Sequence, residues 1–340
     1  MAVDASIAKL SLKQISDFFS RNPGTMRQEC DGEAERITGV SVHPTPVQGG
    51  GSYTVIGGTL VVQFRSGEDA LDLQFLGYIE QAYAGFVPER RSNGTLGKLH
   101  VYTMNDMGGI SMYLARERLF RDDCHLLRQT LQDYARFFAS AWHNTPAQMT
   151  CPSRESLSAD YSSQLSQFSQ GLPSRFRPTL EYLISRLPSL FADDWPLVPN
   201  HTDLLENNIH VDPDTGRITG ICDWKDAEIS PFGMSLGGLE TMLGIWQWED
   251  GWWYHANYQD LRVVFWTAFW SAMGSVSEEQ KERVEVARLV SLFLAYGFEW
   301  DKDGNKVPAS EGPGLKHLDA VVLDNVAGFF PRGSRPSQAV

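Results

Sequence analysis

Between residues 37 and 65 short runs of apolar and polar residues surround a glycine-rich turn. Ile37-Thr-Gly-Val-Ser-Val42, Gln48-Gly-Gly-Gly-Ser-Tyr-Thr-Val55 and Thr59-Leu-Val-Val-Gln-Phe-Arg65 each predict a strand. The period then lengthens: Asp69 to Ala84, with Leu73, Leu76 and Tyr83 among its apolar positions, predicts a helix. Leu99 to Met104 predicts another strand, closed by the breaker cluster Asn105-Asp-Met-Gly-Gly109. Beyond it the texture is helical. Leu127, Leu131, Tyr134, Phe138 and Trp142 form one helical face. Leu261, Val264, Phe265 and Phe269 form a second. A third helix starts at the capping box Ser277-Glu-Glu-Gln280, carries Val286, Leu289, Phe293 and Tyr296, and stops at Gly297. One β island, Asn208 to Trp224, interrupts the helices, and the polar stretch from about Pro331 reads as a loose tail.

The pattern predicts an α+β chain of two lobes. A small β-rich N-lobe covers residues 1–104, a connector 105–109, and a larger, mainly helical C-lobe 110–340. A length of 340 residues with 42% hydrophobic and 21% charged positions suits a globular protein with a sizeable core. The net charge of −13 argues against a nucleic-acid or anionic-membrane surface, since both need clustered Lys and Arg. Cys30, Cys124, Cys151 and Cys222 show no CxxC spacing, which suggests neither a zinc site nor a disulfide scaffold, and a reducing compartment. The start of the chain has no uninterrupted apolar stretch, and no run approaches the roughly 20 residues of a membrane span. The expected location is the cytoplasm.

The segment from His201 to Trp224 carries the chemistry. Ile209-His-Val211 and Arg217 to Cys222 flank Asp212-Pro-Asp-Thr-Gly216, a strong turn. A hairpin about that turn puts residue 208 opposite about residue 221, and Asn208 within about 7 Å of Asp223 along the sheet. Asp203 leads into the first strand. An amide oxygen and a carboxylate are hard ligands for a divalent ion on nucleotide phosphates. A second carboxylate, Asp203, suits orienting an attacking hydroxyl and accepting its proton.

His201-x-Asp203-x-x-x-x-Asn208, a hairpin and Asp223-Trp224 together resemble the aminoglycoside phosphotransferase family, relatives of choline kinases and protein kinases. The run through Pro231-Phe-Gly233 and Leu239-Glu240 looks like its fungal branch, and the likeness covers roughly residues 45–245. Thr202 stands where the family usually has Gly, and Glu206-Asn207 where it has small residues. The resemblance implies a bilobal protein-kinase-like fold and an ATP- and Mg²⁺-dependent transfer of a phosphoryl group to a small-molecule hydroxyl. It implies that Gly50, Gly51 and Ser52 lie over the phosphates, and that Asp106 and Met107 belong to the connector beside adenine. Either Arg65 or Gln63 would anchor the α- and β-phosphates, with Asp72 as the acidic partner. His201 is read as holding the catalytic loop. Asp226 and Glu228 would face an acceptor, an amine-bearing or specialised metabolite, and Trp246 would belong either to an aromatic wall or to packing. The contrasting readings are a nucleotide-binding pseudokinase and a kinase-fold enzyme turned to other chemistry.

Overall fold

The computed structural model describes residues 2–247 and 251–323. The chain divides into two compact units, Met1–Asp122 with Glu206–Lys225, and Asp123–Leu205 with Asp226–Val340.

The first unit opens with helices α1 (Ala2–Arg21) and α2 (Arg27–Thr38), followed by β1 (His43–Pro44), β2 (Ser52–Gly57) and β3 (Leu60–Arg65). Helix α3 (Leu73–Ala82), β4 (Arg90–Leu96) and β5 (Leu99–Asn105) complete a five-stranded antiparallel sheet of order β1-β2-β3-β5-β4. Alternation along β2, β3 and β5 sends Tyr53, Val55, Val62, Phe64, Leu99 and Val101 to one face. There they meet Ile15 and Phe18 of α1 and Cys30 and Ala34 of α2. Each such large side chain contributes about 1.5–3 kcal/mol by leaving water. The expected strand over 37–42 is absent. Helix α2 runs through Thr38 and ends at Gly39, whose φ of 73° satisfies the left-handed cap that closes a helix. After β6 (Ile110–Ser111) and α4 (Met112–Leu119) the chain enters the second unit.

That unit contains α5 (Arg121–Asn144), α6 (Arg154–Gly171), α7 (Arg177–Arg186) and β7 (Leu197–Asn200). The chain then returns to the first unit for β8 (Ile209–Val211) and β9 (Ile218–Ile221), which form a sheet of order β6-β8-β9. Beyond Lys225 follow β10 (Glu228–Pro231), which pairs with β7, the short α8 (Leu239–Leu243), and a hairpin of β11 (Gly244–Gln247) and β12 (Gly251–Tyr254). Helices α9 (Tyr258–Met273) and α10 (Glu278–Tyr296), the pair β13 (Phe298–Trp300) and β14 (Lys306–Pro308), and α11 (Pro313–Leu318) complete it. The three expected helices are present, and Ser277 and Gln280 form the reciprocal capping box. The island 208–224 is not the only β structure after the connector: the β7–β10, β11–β12 and β13–β14 pairs are additional. The core holds a charged network as well. Glu240, fully buried, receives Arg262 at 2.7 Å and Arg288 at 3.0 Å, and Arg288 also holds Glu285. Burial alone would raise the Glu240 carboxyl, but the two guanidiniums keep it below the ordinary range. The tail from Pro331 lies outside the described residues.

Candidate active site

In the first unit the glycine-rich segment precedes β2. Gln48 is buried at its neck, where its Nε2 donates to Thr45 O (3.2 Å) and Thr54 O (2.7 Å) and its Oε1 accepts from Thr54 N–H at 3.1 Å. Helix α1 holds the same segment. Ser11 Oγ donates to Pro46 O and accepts from Gln48 N–H, and Arg21 donates to Gly50 O. A side chain on Gly51 would meet the Asp69 carboxylate at 3.1 Å, so the loop backbone lies directly against that acid. Ser52 Oγ is 3.2 Å from Gln63 Nε2.

Gln63 and Arg65, two apart on β3, share a face and bond to each other, with Arg65 Nε donating to Gln63 Oε1 at 2.7 Å. Arg65 also reaches Asp69 O at 3.5 Å, and its Nη2 lies 3.7 Å from Asp223 Oδ1. Asp72 occupies a different place from the one expected of an acidic partner. It is the N-cap of α3, its Oδ1 accepting from Phe75 N–H at 3.0 Å, and Asp223 is a carboxylate that does lie beside Arg65.

The β8–β9 hairpin turns on Asp212, whose Oδ1 accepts from Asp214 N–H, and on Gly216 at φ 72°. Its register pairs Ile209 with Ile221, and Cys222 N–H donates to Asn208 O at 2.8 Å. Asn208 is therefore opposite residue 222 rather than 221, because a bulge between His210 and Val211 in the pairing adds Thr219 to β9. Asp223 follows immediately, half-exposed, at φ 59°, a strained conformation for a residue with a side chain. This turn sends Trp224 inward, its ring 4.9 Å from that of Tyr83 and its Nε1 donating to Ile221 O. The connector packs on the same hairpin. Asp106 N–H donates to Thr59 O and its Oδ1 accepts from Gly108 N–H, while Met107 lies against Gly220 and Thr219 Oγ1 donates to Gly108 O.

In the second unit buried His201 accepts Asp203 N–H on Nδ1 at 3.0 Å, which fixes the loop backbone and leaves the Asp203 side chain exposed. Thr202 Oγ1 donates to Asp226 O. Glu228 begins β10, where its Oε1 accepts from Tyr161 OH at 3.4 Å and burial raises its carboxyl. Trp246 lies in β11, paired in register with Trp252 of β12.

The profile of the phosphotransferase enzyme family, APH, matches residues 55–253, more than half of the chain. The chain belongs to that family. Among curated proteins no match is found. Solved structures with the protein-kinase-like fold are similar. A putative aminoglycoside phosphotransferase from Ralstonia eutropha JMP134 is 11% identical, with a TM-score of 0.53 over 86% of this chain and 93% of its own. An amicoumacin kinase in complex with AMP-PNP, Ca²⁺ and Ami is 12% identical, with a TM-score of 0.51 over 82% and 86%. A choline/ethanolamine kinase family protein from Mesorhizobium loti is 15% identical over 79% and 84%, with a TM-score of 0.49.

Sequence reasoning missed several charged residues of this phosphotransferase. Glu80, on α3, lies 3.8 Å from Arg90 of β4 and accepts the Arg90 N–H at 3.0 Å. Burial depresses the Arg90 guanidinium, against the pull of Cys222 and Glu80, and Arg65 adds like-charge repulsion. Lys225 pairs with Asp69. Glu206 lies 4.0 Å from Arg116, and burial pushes its carboxyl up to about 7 despite that cation. Only the pattern of Glu206 in place of a small residue pointed at any of these. The others depend on partners up to 156 residues away in sequence.

Proposed function

We propose that this phosphotransferase moves the γ-phosphoryl group of ATP to a hydroxyl of a small molecule, in the cytoplasm. Family membership supports phosphoryl transfer to a small molecule. The observation that carries the ATP- and metal-dependent reading is the end of the β8–β9 hairpin. There the backbone oxygen of Asn208 accepts the N–H of Cys222, and Asp223, the next residue, lies 3.7 Å from the buried cation Arg65. Among the described residues no group of three or more His, Cys, Asp or Glu is arranged to hold a metal. One carboxylate and one carboxamide fit a divalent ion whose remaining positions are taken by phosphate oxygens and water, the habit of magnesium in nucleotide enzymes. Such an ion would supply neutralisation of phosphate charge. Gly50, Gly51 and Ser52 would present backbone N–H groups to the phosphates, and Arg65, oriented by Gln63, would hold the α- and β-phosphates. Asp106 and Met107 would frame adenine. Asp203, with its backbone fixed by His201, would orient the acceptor hydroxyl and take its proton.

The acceptor would be small and amine-bearing. Asp226 and Glu228 would draw a cation, and Trp246 would add aromatic surface. The net charge of −13 is compatible with such a ligand. No helix among the described residues is long and apolar enough to cross a membrane.

A thermal melt tests the nucleotide part. A ligand selective for the native state at 100 times its Kd adds about 2.7 kcal/mol. ATP should therefore raise Tm only when Mg²⁺ or Mn²⁺ is present, and Asp223→Ala should remove the metal-dependent part. An unchanged melt at millimolar MgATP would overturn this reading in favour of a protein that does not use the nucleotide.

A further inference from the structure

Lys225 is two residues past Asp223, in the turn that the left-handed Asp223 backbone starts. Trp224 fills the core, and Lys225 makes an ion pair with Asp69, which is 156 residues away in sequence. Asp69 ends the turn after β3. Its carboxylate also accepts from Ser66 Oγ at 3.2 Å, and its backbone oxygen is within reach of Arg65. That same carboxylate sits against Gly51. An acid is thus pressed against the loop proposed to meet phosphate oxygens, with one cation on its carboxylate and a second on its carbonyl.

Charge bookkeeping shows why this placement matters. Arg65 lies beside Asp223, the carboxylate proposed to hold the metal, and so part of its charge is already answered. A triphosphate with one divalent ion still carries net negative charge. Arg21 is bonded to the loop backbone at Gly50 O, whereas the ammonium of Lys225 is paired with a carboxylate, an anion that a phosphate edge could replace. The side chains of the Lys225–Asp69 pair are 30% and 22% exposed, so both charged ends can still be reached from solvent.

We propose that Lys225 is a phosphate-binding residue, held in the nucleotide-free protein by Asp69, which stands in for the phosphate and yields the ammonium when MgATP binds. This rests on the nucleotide-binding reading above. It assigns the contact to Lys225 and makes Asp69 a competitor of the ligand.

The two residues then have opposite effects. Calorimetry with MgATP, MgADP and adenosine on the full chain separates them. Lys225→Ala should weaken MgATP and MgADP about tenfold and leave adenosine unchanged, and Lys225→Arg should recover most of the loss. Asp69→Asn, which keeps the side-chain shape, should tighten MgATP severalfold. The double variant should bind like Lys225→Ala alone, because the competitor matters only while the lysine is present. Normal melts without nucleotide would show that each variant folds. If MgATP binds the parent well and Lys225→Ala binds equally well, or if Asp69→Asn weakens binding, the pair is structural and the inference fails alone. If the parent does not bind MgATP, both readings fail.

Discussion

Arg65 Nη2 stands 3.7 Å from Asp223 Oδ1, with the guanidinium buried and the carboxylate half-exposed. The arginine reaches this position because Gln63 Oε1 holds its Nε at 2.7 Å. Arg65 and Gln63, the two candidates for phosphate anchor in the sequence, are bonded to each other, an arrangement in which one could hold and the other aim. A guanidinium can stabilise phosphate charge in ground and transition states, and a carboxamide can only aim it. Arg65→Ala should raise the KM for ATP about tenfold, roughly 1.4 kcal/mol, and lower turnover as well. Gln63→Ala should do less of both. Steady-state kinetics of the two variants decide the matter, and a larger lesion from Gln63→Ala would make the glutamine the anchor.

Asp203 is exposed, and its backbone is held by His201. Asp203→Asn keeps shape and a hydrogen-bonding oxygen but removes the proton acceptor. General-base assistance is commonly worth 10²–10⁴-fold, roughly 3–5 kcal/mol of barrier. The variant should bind a non-hydrolysable ATP analogue like the parent and lose at least two orders of magnitude in transfer rate. Near-normal turnover would remove Asp203 from the role of base, and a collapse in nucleotide affinity would make it a metal ligand instead.

Glu206 gives a pH dependence with a definite sign. Burial raises its folded-state carboxyl from 4.5 to about 7. Between those values the native state keeps a proton that the unfolded chain has released. The stability tied to that proton is fully present below about pH 4.5 and is lost as pH rises towards 7, at about 1.4 kcal/mol per pH unit. Urea unfolding from pH 4.5 to 8 should show the parent losing on the order of 2–3 kcal/mol relative to Glu206→Gln across that window. Parallel curves for the two proteins would show that Glu206 titrates normally.

Where neighbouring residues dictate the backbone, the fold could be read from the chain. The Asp212–Gly216 turn and the Ser277 capping box are local chemistry, and both are present. Alternation misled at 37–42, because Thr38-Gly39-Val40 alternates as a strand would while Gly39 ends a helix and Val40 is exposed. The hairpin register, expected only to about one residue, puts Asn208 opposite 222, and nothing near Thr219 in sequence announces the bulge that sets it, where the Thr219 hydroxyl donates to Gly108 O. Asp72 precedes helix α3 as its N-cap, because a helix N-terminus needs a cap and that demand is local and strong. The pairs Glu80–Arg90 and Asp69–Lys225 join separate elements through the fold, and composition has no signal for them.

The bonds from Ser11 and Arg21 to residues 46–50 give helix α1 a bearing on ligand affinity. A glycine-rich loop free in solution would have to be ordered whenever a nucleotide arrived, and each residue stilled would subtract from the affinity. Here the neck is clamped by Gln48 and the arch is moored to α1 before any ligand is present. The ordering cost is already met during folding. Removing those bonds by Ser11→Ala and Arg21→Ala, with Ile15 and Phe18 left in the core, should therefore loosen nucleotide binding from a helix that supplies no residue proposed to touch the nucleotide.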